Sequence, residues 1–316
     1  MRGGPAEVKT ARRVPLPGHP SVTIRPPRGA LWGAMRLFLL TSLTMIAFAA
    51  NSVLNRMALA GGSIDAASFG TIRLIAGAVM LGGLCIALRG GLRLGGAGRA
   101  IGVLALLVYI YGFSAAYTAL DAGLGALILF GVVQITMFAG GLVAGEATPT
   151  RRWIGAALAF AGLIWLLWPG AGPQVSVLHG LSMAAAGVGW GLYSLAGRRE
   201  PDALQATAAN FILAAPLGLV VGFALPAGGS GTHAGTEGIA LAILSGAVTS
   251  GLGYALWYRV LPGLDSAVAA VAQLTVPVIA VAGGMIFLGE SMGLQTLLAS
   301  ALVLGGVAVS VLRLRG

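Results

Sequence analysis

A few polar side chains stand inside long apolar segments of this chain, and these residues could bind a small molecule there. Gln134 lies near the midpoint of one apolar run, and its amide offers hydrogen-bond donors and an acceptor. Gln273, Asn51 and Asn55 stand in comparable runs, and Arg73 is the one charge well inside such a run. Because polar groups are costly in hydrocarbon, we expect each of them to face a partner or a wet cavity.

For each of these residues a structural role stands beside a ligand-binding role. Gln134 could equally form an interhelical hydrogen bond that helps packing. Arg73 must pair or reach the interface, since an arginine at a helix centre costs roughly 2.5–3.5 kcal/mol on insertion scales. Its candidate partners toward one end of the segments are helix-terminal carbonyls and three carboxylates, namely Asp65, Asp121 and Glu290. If Arg73 contacts a ligand instead, that ligand carries a carboxylate group.

Aromatic side chains add amphipathic surface to the same segments. They are Tyr111 in the third segment, Trp190 and Tyr193 in the sixth, and Tyr254 and Trp257 in the eighth. A buried hydroxyl or indole N–H needs a polar partner, although packing is the ordinary role of an aromatic stripe on a helix. A cavity with aromatic walls and sparse amides suits small zwitterions, apolar amino acids or amphipathic drugs better than highly charged phosphates.

The composition places these residues in a membrane protein. Mean hydropathy is +0.92, and only 9% of residues are charged, against about 25% in a soluble domain. Ten segments have about the length that crosses roughly 30 Å of hydrocarbon. They cover approximately residues 36–58, 66–88, 100–120, 123–144, 152–168, 178–197, 204–225, 238–258, 266–288 and 293–312. The predicted fold class is therefore an all-α polytopic membrane protein with ten transmembrane helices.

The fourth and ninth segments share a motif, which predicts an internal repeat. Residues 134–146 read QITMFAGGLVAGE and residues 278–290 read VIAVAGGMIFLGE, so that Glu146 aligns with Glu290 without gaps. Each copy lies within five apolar segments. Because five is odd, the second copy must cross the bilayer in the opposite sense, as in the inverted repeats of secondary transporters.

These features divide the chain into a tail and two repeats. Residues 1–35 are rich in Pro, Gly and Arg and predict a disordered basic cytoplasmic tail. The five-helix repeats are expected at residues 36–170 and 177–313. All Lys and Arg residues except Arg56 and Arg73 lie in the tail or in one set of alternating loops, which predicts cytoplasmic N- and C-termini. Ala-Phe-Ala at residues 47–49 imitates a signal-peptide cleavage site, but cleavage would break the repeat.

Several runs of the sequence resemble the EamA-type branch of the drug/metabolite transporter superfamily. They are TIRLIAGAVML (71–81), WGLYSLAGR (190–198), GYALWYRVL (253–261) and QLTVPVIAVAGGMIFLGE (273–290). The resemblance implies a carrier of the inner (plasma) membrane, often an exporter of amino acids or other small metabolites, with a cavity between its halves. Members often carry an arginine at the place of Arg73, which suggests a structural clamp. The chain departs from them in span 4, where Gln134 and its neighbour replace the usual proline, whereas span 9 keeps Pro277.

We therefore predict a secondary transporter that exports a small organic metabolite by alternating access, with a passive facilitator or channel as the alternative. Pro277 could be a hinge or could only shape the bundle. Glu146 and Glu290 end spans on opposite faces, where they either pair with neighbouring arginines or act as gates. No Asp, Glu or His lies near a span midpoint, which argues against an intramembrane proton relay. A carboxylate at the mouth of a cavity could still couple protons.

Other classes of function are disfavoured by the same residues. An intramembrane enzyme would need a nucleophile beside a base, but no span contains a His to activate a serine. The net charge of +10 reflects membrane orientation, so we expect no nucleic-acid partner. Scattered histidines and a single cysteine predict no metal site, and the absence of a GxxxxGK[ST] loop disfavours an ATP-driven pump. The expected partners are a small-molecule substrate and the lipid bilayer, with no cofactor and with the oligomeric state left open.

Overall fold

The structure is a computed structural model that describes residues 28–145, 149–167, 176–197, 200–224, 233–264 and 266–311. Its α-helices are α1 (Arg28–Ala60), α2 (Ala66–Arg89), α3 (Arg99–Tyr117), α4 (Ala122–Val143), α5 (Thr150–Leu167), α6 (Val177–Gly197), α7 (Ala203–Ala224), α8 (Thr236–Leu244), α9 (Gly253–Val260), α10 (Ser266–Leu288) and α11 (Leu294–Val311). A π-helical segment (Ser245–Leu252) joins α8 to α9, so these three elements form one span. In the described ranges the chain thus forms ten helical spans, which confirms the predicted fold class.

The helices have the length and the composition of membrane spans. Six described helical stretches are long and apolar enough to cross a bilayer, and two shorter ones, Ala272–Leu288 and Leu294–Ser310, are also apolar. Helix α1 begins at Arg28, earlier than the predicted residue 36, so the end of the predicted tail is helical. Residues 1–27 of that tail lie outside the described residues.

The packing of the helices follows the repeat. Helix α2 packs against α7, α4 against α10, and α5 against α11. In each pair the two helices occupy the same position in their own half of the chain. A two-fold relation between the halves brings such equivalent helices together at the axis, so the packing supports two related halves.

The connections between helices gather at two ends of the bundle. At the first, called the Arg56 end, the α1–α2 connection meets the α7–α8 connection, where the Gly235 N–H donates to the Ser63 carbonyl at 2.8 Å. The α3–α4 connection meets the α10–α11 connection at the same end. At the second, called the Arg99 end, the α2–α3 connection meets the α6–α7 connection, with Arg89 Nε 2.7 Å from Asp202 Oδ2. In the first half, the first and third connections (α1–α2 and α3–α4) lie at the Arg56 end. In the second half, the second and fourth connections (α7–α8 and α10–α11) lie there. The two halves therefore run in opposite senses.

Asp65 fixes the start of α2 and thereby the position of Arg73 two turns later. Its Oδ1 accepts from the Ser68 N–H at 2.9 Å, and its Oδ2 accepts from the His233 N–H at 3.1 Å. Burial acts to raise the pKa of Asp65, but the hydrogen bonds from Ser68 and His233 outweigh it, so the pKa lies below its usual value. Asp65 is therefore an ionised helix cap rather than the predicted partner of Arg73.

Candidate functional site

A group of buried polar side chains lies in the interior of the bundle, and we call it the Arg73 cluster. Its members are Asn51 and Asn55 of α1, Arg73 of α2, Tyr109 and Ser114 of α3, and Ser245, Thr249 and Ser250 of the π-helical segment. The π-helical segment occupies the middle of its span, and Tyr109 lies in the middle of α3. Both halves of the chain thus contribute to one polar site at about mid-depth, where transporters with inverted repeats place their substrate.

Arg73 is completely buried, and neutral oxygen atoms hold it in place. Its Nη2 donates to the Tyr109 hydroxyl at 2.9 Å, and its Nε donates to Ser250 Oγ at 3.1 Å. The guanidinium carbon also lies 5.0 Å from the centre of the Tyr109 ring and 5.1 Å from that of Phe113, within the range of a cation–π contact. Arg73 Nη1 has no hydrogen-bond partner among the described residues.

The two asparagines of α1 connect this arginine to the second half of the chain. The Asn51 amide donates to the Tyr109 hydroxyl at 3.4 Å, and its Oδ1 accepts from Thr249 Oγ1 at 3.0 Å and from Ser245 Oγ. Asn55 Nδ2 donates to Ser245 Oγ at 3.4 Å. The cluster is therefore a continuous hydrogen-bonded network of uncharged groups around a single cation.

The π-helical segment brings its serines against α2. A π-helix places side chains at a spacing different from that of an α-helix, and such segments are frequent at functional sites. Gly246 lies so close to the Arg73 carbonyl that a side-chain methyl group there would overlap with it. Glycine at this position therefore permits the contact between backbones that lets Ser250 reach Arg73.

An aromatic group borders the Arg73 cluster, and we call it the Trp190 cluster. The indole ring of Trp190 lies 4.9 Å from the ring of Tyr109, 5.0 Å from that of Tyr254 and 5.4 Å from that of Tyr193, measured between centroids. Phe48 of α1 lies 5.7 Å from Tyr254, and Trp257 completes the cluster at 6.1 Å from Phe48. Tyr109 belongs to both clusters, so a cationic polar region and an aromatic region adjoin one another in the core.

A second charged site lies at the Arg56 end, and we call it the Arg56 lock. Arg56 Nε lies 3.3 Å from Glu290 Oε1, and its Nη2 lies 3.5 Å from Asp121 Oδ1. Arg56 Nη1 also donates to the carbonyl oxygens of Tyr117 at 3.2 Å and of Thr118 at 3.3 Å. The lock thus joins α1 of the first half to the α3–α4 and α10–α11 connections.

Glu290 also caps the start of α4. The Ala122 N–H donates to Oε2 of Glu290 at 2.9 Å and to its Oε1 at 3.1 Å, and a carboxylate at a helix N-terminus is favoured by the helix dipole. Burial raises the pKa of Glu290 above its usual value, although the hydrogen bonds from Ala122 oppose that increase. The charge of Asp121 adds to the increase, and Arg56 opposes it. Glu290 therefore binds a proton more readily in this arrangement than a solvent-exposed glutamate does.

Comparison with known proteins agrees with this architecture. The EamA-like transporter family matches residues 179–312, within the second half of the chain. An uncharacterized protein of Pseudomonas aeruginosa is 44% identical over 282 residues, which cover 87% of this chain and 94% of that protein. The chain belongs to the EamA-like transporter family. It is therefore a multi-pass membrane transporter of the drug/metabolite type, as its motifs indicated.

A solved crystal structure shares the fold of this EamA-like transporter. It covers 84% of this chain and 94% of its own chain, with a TM-score of 0.59 and 21% sequence identity. At that identity the similarity concerns the fold alone. This similarity of fold supports the arrangement of helices described above.

The structure brings together most of the predicted cavity residues of this EamA-like transporter. Asn51, Asn55 and Arg73 lie in the Arg73 cluster, and Trp190, Tyr193, Tyr254 and Trp257 lie in the Trp190 cluster. The expected carboxylate partners of Arg73 were wrong. Asp65 caps α2, whereas Asp121 and Glu290 belong to the Arg56 lock.

Other predicted residues lie outside both clusters. The Tyr111 hydroxyl is 2.6 Å from the Gly218 carbonyl of α7, so it links α3 to α7. The half-buried side chains of Gln134 and Gln273 form no hydrogen bond with the described residues, and their place in a cavity stays a prediction. Pro277 is buried within α10, which continues past it to Leu288. The predicted role of Glu146 falls outside the described residues.

Several members of the Arg73 cluster and the Arg56 lock, Tyr109 and Ser114 among them, were not among the predicted site residues. Ser245, Thr249 and Ser250 were not singled out, although Ser245 and Thr249 share the four-residue spacing of Asn51 and Asn55. Arg56 was noted only as one of the two basic residues that lie outside the tail and the cytoplasmic loops. Its signal was its position, because it is the basic residue near an end whose loops otherwise lack Lys and Arg.

A cavity of about 540 Å³ opens at the Arg99 end, apart from both clusters. Two of the three arginines in its lining are paired, since Arg99 Nη2 lies 3.6 Å from Glu200 Oε1 and Arg89 pairs with Asp202. Gln205 Nε2 donates to the Gly91 carbonyl at 2.9 Å. These contacts tie the α2–α3 connection to the start of α7.

Proposed function

We propose that this chain is a secondary transporter that exports a small organic metabolite, such as an amino acid or an amphipathic drug, by alternating access. The observation that carries the proposal is the Arg73 cluster, a buried polar site to which both inverted halves contribute. Inverted halves can rock about such a shared site and expose it to one side of the membrane and then to the other.

The Arg56 lock supports the alternating part of this mechanism. It is a set of charged contacts between the halves at one end of the bundle, and contacts of this kind can be made in one state and broken in another. The distribution of basic residues favours a cytoplasmic Arg99 end and cytoplasmic termini in the inner membrane. On that orientation the lock closes the exit on the outer side.

We further propose that protons are the coupling ion and that Glu290 responds to them. Burial raises the pKa of Glu290 in the closed lock. A Glu290 that is exposed to water in the open state would therefore couple proton uptake to closure of the outer end. Closure on proton uptake from outside suits an exporter that exchanges its substrate for protons. A passive facilitator would need no such coupling between protonation and closure.

Counterflow in proteoliposomes tests the transport proposal. A thermal-shift screen of amino acids and other metabolites would first supply candidate substrates for the purified protein. For a substrate found in this way, we expect saturable counterflow that responds to a pH gradient. Flux that rises linearly with concentration would favour a pore, and no flux for any stabilising compound would refute transport of that set.

A matched pair of serine variants assigns the flux to the Arg73 cluster. Ser245→Ala removes the donor to Asn51 Oδ1 and should cost about 1 kcal/mol, or roughly fivefold in kcat/KM. Ser300→Ala is the control, because Ser300 lies on α11 and donates to the Thr296 carbonyl of its own helix. Equal kinetics for the two variants would remove the Arg73 cluster from the transport site.

A further inference from the structure

We propose that Arg73 is the anion receptor of the transport site and that its free Nη1 binds a carboxylate group on the transported molecule. The proposal rests on the transport function proposed above and adds the chemical class of the substrate. That class is a monocarboxylate with an apolar or aromatic body.

The charge of Arg73 is not compensated by a carboxylate among the described residues. The residue is 0% exposed, and among the described ion pairs none involves it. A buried cation is costly unless it is paired, and cation–π contacts with Tyr109 and Phe113 compensate it only in part. An anionic ligand would supply the negative charge that pairs with Arg73.

The guanidinium group of Arg73 is fixed in a geometry that suits an anion. Ser250 and Tyr109 occupy Nε and Nη2 and thereby fix the plane of the group. Nη1 carries two N–H donors, and neither has an acceptor among the described residues. A guanidinium held in place by two neutral acceptors, with one nitrogen unoccupied, is prepared for a charge-assisted bond to a carboxylate.

The surroundings of Arg73 suit a single negative charge on an apolar body. The other members of the Arg73 cluster are neutral amides and hydroxyls, so the site can compensate one negative charge but not two. The adjoining Trp190 cluster offers ring faces to an apolar body. The hydroxyl of Tyr254, which borders Trp190, has no hydrogen-bond partner in the described part of the chain and provides a further donor. Together these features favour a monocarboxylate over a phosphate dianion.

A comparison of acids with their amides tests the proposal on the purified full-length protein. The probes are indole-3-acetate, phenylacetate and hexanoate, each beside its own carboxamide, with phenyl phosphate as the dianion. Isothermal titration or thermal shift would give their affinities. We expect at least one acid to bind at least tenfold more tightly than its amide and more tightly than phenyl phosphate. Equal affinity for acid and amide in every pair, or the absence of any binding, would overturn the proposal.

Variants of Arg73 separate recognition of charge from a purely structural role. In Arg73→Gln the preference for acid over amide should fall to about one, while Arg73→Lys should retain part of it because the cation remains. A clamp that only holds helices together would leave the preference unchanged in any variant that folds. If neither variant folds, the acid and amide affinities of the wild-type protein still decide the matter.

Failure of this proposal can be told apart from failure of the transport function. Binding is measured without a membrane gradient, whereas transport is measured by counterflow in vesicles. Tight binding of an acid that is not carried would leave the Arg73 assignment standing and refute transport of that acid. Saturable transport with no preference for a carboxylate would support the transport function and refute the assignment of Arg73 as the anion receptor.

Discussion

Removal of Arg56 should open the end of the bundle that it closes. In the structure Arg56 contacts Glu290 at 3.3 Å and Asp121 at 3.5 Å and donates to the carbonyl oxygens of Tyr117 and Thr118. The substitution Arg56→Gln removes these charged contacts and leaves the carboxylate of Glu290 without its cation. Because the side chains of Arg56 and Glu290 are only 18% and 12% exposed, solvent screens this pair less than a surface ion pair.

The size of the effect follows from the contacts that are lost. Breaking a buried pair costs about 3–5 kcal/mol, and the partial exposure of this pair to solvent reduces the cost to about 2 kcal/mol. That value shifts the ratio of closed to open molecules roughly 30-fold. A population that is about 95% closed would become about 40% closed, a change that is easily measured.

Distances between spin labels at the Arg56 end provide the assay. Ala119 and Ser291 are exposed residues in the α3–α4 and α10–α11 connections, and cysteines placed there in a Cys85→Ala chain can carry the labels. In Arg56→Gln the distance distribution should gain a longer component that is minor in the parent. Arg259→Gln is the control, since Arg259 is an exposed arginine outside the lock. Unchanged distances in Arg56→Gln would refute the assignment of Arg56 as a closing contact.

Two further predictions concern the same lock and the Arg73 cluster. Acidification should restore closure in Arg56→Gln. Burial raises the pKa of Glu290 in the parent, and loss of Arg56, which lowers that pKa, strengthens the increase. The closed state of the variant therefore gains stability as the pH falls and loses it as the pH rises through this pKa. The same spin labels measured over a pH series test this, and opening on acidification would contradict it. Gly246→Ala should lower the melting temperature by several degrees and abolish transport, because the added methyl group overlaps with the Arg73 carbonyl. Gly305→Ala on α11 is the control, because no atom lies near the position of an added Cβ there. It should be neutral or raise stability by up to about 1 kcal/mol. Equal melting temperatures for Gly246→Ala and Gly305→Ala would contradict the packing account.

The architecture could be predicted from the sequence because membrane spans are encoded locally. Apolar runs, loop charges and the match between residues 134–146 and 278–290 predicted ten spans in two halves. Each of these signals depends on lipid as solvent and requires no knowledge of packing. The early start of α1 was missed because Arg28 precedes an apolar run with no helix-capping signal in the sequence.

The site could be predicted only in part, because its partners meet through tertiary structure. Asn51 and Arg73 stood out as polar groups in apolar segments. Serines such as Ser250 did not, since a serine in a helix commonly bonds to its own backbone and carries no distinct signal. The π-helical turn that brings Ser250 to Arg73 depends on the close approach of Gly246 to α2, which no local pattern encodes. Pairing of Glu290 with Arg56 joins residues far apart in the chain and was likewise not predictable.

Access to the Arg73 cluster from the two sides of the membrane tests the central claim most directly. Thr249→Cys in a Cys85→Ala chain places a single thiol in the cluster, and vesicles of known orientation can be treated with a membrane-impermeant thiol reagent on either side. An alternating site predicts labelling from both sides, with the rate on each side changed by a saturating transported substrate. Labelling from one side alone under every condition, with or without substrate, would contradict alternating access.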